Sequence, residues 1–431
     1  MGHGPVLLLT GARLADGRVV DVRISGDRIQ AVGTAGSLGP LPQSALPAGA
    51  VAGGGTDGPA VTAGARIDLT GYLLLPAPAE PHAHHDTAFT GGPVPLPPNA
   101  APVPTAGPSL PPGPPGSEGH GELVRRVTEA ALTSLGYGAT AQRTHVRIGG
   151  AHGLRRLEAA LTARQALRGL VELQTVAVPG PLTGADGAPG RAQLREALRL
   201  GADAVGGCPE LDPDPVGYVQ EVVAAATEFD CPVDLHLRGA DTDQVARIAA
   251  LLAPLRPRVA VAPGDLLALG TGAPLSAAGV RVTCLPQSGS CGGAAGPPGW
   301  LNPSVIRELT EHQVLLAAGS GALRDAGNPV GRADPLEAAY LLAAGGALST
   351  VAAYEAISAQ ARLLMGLPAV RIDAGFPAEL LAVRGDSLAG ALSGGHSRLV
   401  VHGGRVVSRT SAVREFADTV ALALPRQSGH H

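Results

Sequence analysis

The stretch PHAHHD, residues 81–86, sets three histidines and an aspartate within six residues, directly after the apolar run GYLLLPAPAE. His82 and His84 stand at i and i+2. On an extended backbone that spacing sends both imidazoles to one face, as two nitrogen ligands for one metal ion require. A pair of surface histidines in a proline-rich turn is the bland alternative, and the position at the end of an apolar run favours the metal. His236 lies near the end of a second apolar run, PVDLHL, and taken alone reads as a satisfied core histidine. His145, in AQRTHVRI, reads equally well as a buried hydrogen-bonded histidine or as a group near a substrate.

What elements would bring these residues together? Between about residues 123 and 364, helix-like stretches such as GLRRLEAALTARQALRG separate short apolar runs at 141–148, 171–178, 203–207, 232–237, 258–263, 280–286 and 313–320. With LLLPAPAEPHAH before them, these make eight strands. That alternation is the pattern of a (β/α)8 TIM-type barrel, an α/β fold whose chemistry gathers at the C-terminal strand ends. His236 then lies at a barrel position matching that of His82 and His84, which tilts its reading modestly from a core residue toward a metal ligand. Short β-rich runs with DG, GD and Gly-rich turns occupy residues 6–33 and 378–409, so both termini are expected to form one small discontinuous β-sandwich domain. The expected division is residues 1–75 with 370–431 for that domain and 76–369 for the barrel. Two Gly/Pro-rich segments, 36–64 and 91–119, bury too little to offset ordering entropy and are expected to be loops, the second over the barrel mouth.

Composition narrows the chemistry further. The chain has 431 residues, enough for one large domain and a smaller companion, and its net charge of −4 gives no basic footprint for nucleic acid or for a membrane surface. No apolar run reaches the ~18 residues of a membrane span. The N-terminus has no basic region and no apolar core of signal length. The four cysteines, Cys208, Cys231, Cys284 and Cys291, form no C-x-x-C pair and read as reduced, which makes a cytoplasmic location the expectation. All 32 basic residues are arginine. A lysine Schiff base, a lysine general base and a carbamylated-lysine metal bridge are therefore excluded.

The run LLLPAPAEPHAHHD resembles the first barrel strand of the amidohydrolase superfamily. QRTHVRIG, GADAVGGCPELD, PVDLHL and RDAGNPVGRADPLEAA resemble its cytosine-deaminase branch in the same order, over roughly residues 6–407. The resemblance implies hydrolysis of a C–N bond in a cyclic amidine or amide by metal-activated water. It also implies one divalent metal, Zn or Fe, on His82, His84 and His236, with a strand-eight aspartate as fourth ligand. A strand-five glutamate and a strand-six histidine handle protons in that family. Here Gly321 stands at the aspartate position, Gly239 at the glutamate, Pro263 at the histidine and Gly180 at a substrate-binding glutamine.

Three neutral histidines hold zinc in some catalytic sites, so metal binding survives these changes. A positioned acid–base group is worth ~10²–10⁴-fold in rate, and glycine replaces none. Candidate substitutes are His85, Asp86, Glu210, Asp265 and Asp325. Glu210, at the fourth strand end, is the most interesting, whereas Asp86 and Asp325 read as structural. The leading expectation is an amidohydrolase homologue with impaired or absent catalysis, a pseudoenzyme. The alternative is a working metal-dependent C–N hydrolase with a relocated acid, and a weaker third is a metal-free structural barrel. The expected partner is a small heterocyclic ligand, with His145 beside it, in a pocket roomier and more apolar than the family's; a homo-oligomer is compatible with the sequence.

Overall fold

The computed structural model describes residues 6–39, 65–91, 118–150, 153–237, 239, 241–287, 302–325 and 328–412. The two Gly/Pro-rich segments lie outside the described residues except at their ends. Cys291 and the side chain of Asp265 lie outside them too.

Eight parallel strands follow one another in chain order around a single sheet: β6 (Ala79–Ala83), β7 (Ala141–Arg147), β8 (Glu172–Val178), β9 (Ala204–Gly207), β10 (Val233–His236), β11 (Val259–Ala262), β12 (Arg281–Cys284) and β13 (Leu316–Ala318). A parallel bridge between Ala83 and Gly321 joins the first strand to the end of the last, so the sheet nearly closes into a barrel. All eight runs named from the sequence are strands. Their outward apolar side chains, among them Leu173, Val205, Leu235 and Val261, pack on helix residues such as Leu157, Val219 and Ile248 in one continuous core. Burial on both faces explains why these strands read as apolar runs rather than as alternations.

The two ends of the chain meet in a second, mixed sheet. It contains β1 (Val6–Arg13), β2 (Val19–Ser25), β3 (Arg28–Thr34), β4 (Ala65–Asp68), β5 (Tyr72–Pro76), β14 (Leu380–Arg384), β15 (Arg398–His402) and β16 (Arg405–Thr410). Its junction is β5 against β14, antiparallel from Tyr72 opposite Arg384 to Pro76 opposite Leu380. The hydrogen bonding makes one continuous eight-stranded sheet, folded over its own apolar cluster of Leu9, Val22, Ile24, Leu74, Leu380 and Val401.

One buried ion pair ties this sheet to the barrel. Asp334, which caps the helix Pro335–Ala344 by accepting from the Leu336 amide at 3.0 Å, also receives both terminal nitrogens of Arg398 at 2.8 and 2.7 Å. Both side chains are more than nine-tenths buried. Removing one member of such a pair strands the other charge without water. Arg398→Met is expected to cost about 3–5 kcal/mol, read as a lower denaturant midpoint; a shift within error of zero would remove this pair from the domain junction.

Candidate metal centre

Strand β6 does not run straight into the site. Ala79 pairs with Ala141 and Glu80 with Gln142, but Ala83 pairs with Thr144, so a β-bulge lies between Glu80 and Ala83. Such bulges re-aim side chains. Without this one, the inward face of β6 would pass from Ala79 to Pro81 and Ala83. With it, His82 and His84 turn into the barrel. Glu80 stays on the other face and fastens the bulge to the last strand, accepting from the His82 amide at 3.2 Å and from the Ser320 amide and hydroxyl at 2.8 and 2.5 Å. Complete burial pushes the Glu80 carboxyl up to about 7, against the pull of those donors.

His82, His84 and His236 converge. The Nε2 atoms of His82 and His236 are 3.0 Å apart, and those of His236 and His84 3.2 Å. All three nitrogens point at one small space, the arrangement one ion needs from three ligands. Burial first, and the neighbouring imidazoles second, hold His82 down to about 4 and His84 and His236 well below the ordinary histidine value. All three are therefore neutral near pH 7, the form that ligates a metal. The site fits a divalent ion.

The fourth histidine is packed against this cluster. His145 lies flat on His82 with ring centroids 3.8 Å apart. Its Nε2 is 3.4 Å from Asp234 Oδ1, and His82 Nδ1 is 3.8 Å from the same oxygen. The other carboxylate oxygen, Asp234 Oδ2, accepts from Arg143 Nη1 across the barrel at 2.9 Å. Burial works against a charge on Asp234, but His145, His82 and Arg143 together hold its carboxyl well below the usual carboxylate range. Asp234 and Arg143 were not among the residues singled out from the sequence. Their signal was there: each precedes an inward histidine by two residues, and on a strand that is the same face.

The remaining candidates separate cleanly. His85 leaves the cluster and places Nε2 2.8 Å from Gln142 Oε1. Asp86 is buried against Arg156 at 3.3 Å. Asp325 accepts from Thr87 at 2.9 Å and from the Asn328 amide at 3.1 Å, tying the loop after β13 to the loop after β6. Gly180 is exposed beyond β8. Pro263 directly follows Ala262, the register partner of His236. Gly321 has φ +76° and Gly239 φ +63°, the left-handed region that glycine tolerates best. At Gly239 space is lacking as well, because a Cβ there would fall 2.3 Å from Leu267 Cδ2. Glu210 reaches this same backbone, its Oε1 accepting from the Gly239 amide at 2.9 Å.

No family model matches the chain. The N-isopropylammelide isopropyl amidohydrolase of Pseudomonas sp. (strain ADP) is 28% identical over 193 residues, which cover 43% of this chain and 47% of that one. The match thus spans about half the length of that curated relative. The crystal structure of N-isopropylammelide isopropylaminohydrolase from Burkholderia multivorans superposes with a TM-score of 0.73 at 25% identity, over 94% of this chain and 99% of that one. This is the amidohydrolase-superfamily fold. The same fold recurs in 5-methylcytosine deaminase from Klebsiella pneumoniae liganded with 5-fluorocytosine, at a TM-score of 0.74 and 18% identity over 96% and 100% of the two chains. In this amidohydrolase fold the three converging histidines stand at strand ends one and five, as the sequence resemblance implies.

Two measurements test the electrostatics and the sterics. Unfolding lets His82 and His85, each held near 4 by burial, regain the ordinary value of 6.5, and it returns Glu80 from about 7 to 4.5. Between roughly pH 4.5 and 6.5 the unfolded chain binds protons at these histidines, and at His84 and His236, that the folded chain does not; Glu80 acts oppositely, as does Glu337, whose carboxyl burial also raises. Histidine-linked stability is thus complete above ~6.5 and lost on acidification. The melting temperature of metal-free protein should fall from pH 6.5 to 4.5, and a flat or rising profile would contradict neutral buried imidazoles. Gly239→Ala is expected to cost about 1–3 kcal/mol through strain at positive φ, more if Leu267 does not yield; an unchanged urea midpoint would show that the site accommodates a side chain there.

Proposed function

We propose that this chain is an amidohydrolase-fold protein that holds one divalent metal, zinc or iron, on His82, His84 and His236. It binds a small nitrogen heterocycle at the barrel mouth beside His145, and it hydrolyses C–N bonds feebly or not at all. A metal there supplies Lewis acidity to water and to the carbon under attack. The protein's own task is to move protons between water and the leaving nitrogen. The observation that carries the impaired reading is the contact at Gly239: Leu267 fills the space in which a strand-five acid would begin. Pro263 and Gly321 add no proton carrier. Among the described residues Cys208, Cys231 and Cys284 are in no disulfide, which accords with a reducing, cytoplasmic setting. Among the described residues no helix is long and apolar enough to cross a membrane.

One observation favours a second reading, in which catalysis persists with a relocated acid. The Glu210 carboxylate is bonded to the amide of residue 239, so an acid from strand four stands where the strand-five acid is missing.

Metal analysis and a hydrolysis screen separate the readings. Protein grown with supplemented Zn or Fe is expected to retain about one metal ion, lost in His84→Ala; less than roughly a tenth of an equivalent in the wild type would sink the metal reading. Across cytosine-like, triazine and creatinine-like rings, turnover is expected to match that of His236→Ala. Turnover abolished by both His236→Ala and Glu210→Gln would replace the impaired reading with the second one and identify its acid.

A further inference from the structure

The proposed metal shell is electrically unusual, since its three protein ligands are neutral. The positions that could add a carboxylate beside them hold Gly239 and Gly321. A divalent ion in a dry barrel nonetheless needs negative charge near it, and its histidine ligands need their second nitrogens fixed. Asp234 is placed for both. It is completely buried, and it lies two residues from His236 on the same inward face. Its Oδ1 has no hydrogen-bond partner, and neither do His82 Nδ1 nor His145 Nε2, the two ring nitrogens 3.8 and 3.4 Å from it. Three buried polar atoms without partners, aimed at one another, mark a contact that one small closure completes. Arg143 fixes the carboxylate from the far side, and the stacked His145 ring keeps His82 from rotating away.

We propose that Asp234 is a positioning residue for the metal centre: held by Arg143, its carboxylate keeps the His82 proton on Nδ1, leaving Nε2 to face the metal, and supplies from behind the histidines the negative charge that Gly239 and Gly321 do not supply beside them. This rests on the three-histidine reading above. It gives Arg143 a subordinate part, because the guanidinium neutralises some of the charge that the metal would otherwise feel.

That asymmetry makes the inference testable. Asp234→Asn and Arg143→Gln break the same buried ion pair, so a purely structural pair predicts that both harm metal binding alike. The full-length chain is stripped with chelator and titrated with Co²⁺ by visible absorption, and with Zn²⁺ against a chromogenic chelator. Asp234→Asn is expected to weaken both affinities about 10–100-fold. Arg143→Gln is expected to keep or raise them despite a lower melting temperature. The double variant, which removes both buried charges and guards against misfolding of Asp234→Asn alone, is expected to bind as weakly as Asp234→Asn. Affinity within twofold of wild type in Asp234→Asn or in the double variant overturns the inference. So does an equal loss in Arg143→Gln. A wild type that binds no better than His84→Ala instead overturns the three-histidine reading, and this inference falls with it.

Discussion

The site depends on a bulge in one strand. A barrel strand has period two, and in β6 the register set by Ala79 would carry both histidines of the H-x-H motif out of the barrel. The extra residue between Glu80 and Ala83 reverses that, and Glu80 holds the reversal by binding the His82 amide and the backbone and hydroxyl of Ser320. One carboxylate therefore fixes the inward aim of His82 and His84 and the seam where the last strand meets the first. Placing it there has a cost, since a fully buried carboxyl resists ionisation. The three donors named above offset part of that cost and make the seam specific.

The inward face that results is crowded with buried imidazoles. His82, His84, His145 and His236 lie with ring centroids 3.8–5.6 Å apart, and burial holds His82, His84 and His236 toward the neutral form. Three of them, His82, His84 and His236, bring ring nitrogens together closely enough for a single metal ion. Asp234 and Arg143 bring charge into the same interior as a matched pair, which burial tolerates better than either alone. At the strand ends where the resemblance implies proton-transfer groups this chain carries Gly239, Pro263 and Gly321, and the impaired reading proposed above rests on that alignment.

Much of this was legible in the residues. The barrel's eight strands appear as eight apolar runs because parallel strands are covered on both faces, and the terminal β runs appear through their turn residues. The i, i+2 spacing of His82 and His84 and the apolar strand around His236 pointed to three histidines that the barrel does bring together. The same period applied two residues earlier points to Arg143 and Asp234, so these were readable but went unread, because a charged residue within an apolar run carries no sign of its partner 91 positions away. The stacking of His145 on His82 was not readable at all, since strands one and two meet only through the sheet.

By itself, then, the sequence determined what is periodic and local: the strands, the common face of paired histidines, and the exclusion of lysine chemistry. The tertiary structure decided the rest, for a physical reason common to each case. The bulge that aims His82 and His84, the Leu267 contact that fills the space beside Gly239, and the carboxylate shared by Arg143, His145 and His82 all arise between segments far apart in the chain. Their energies come from burial and from distances of a few ångströms, quantities that exist only after the barrel has closed.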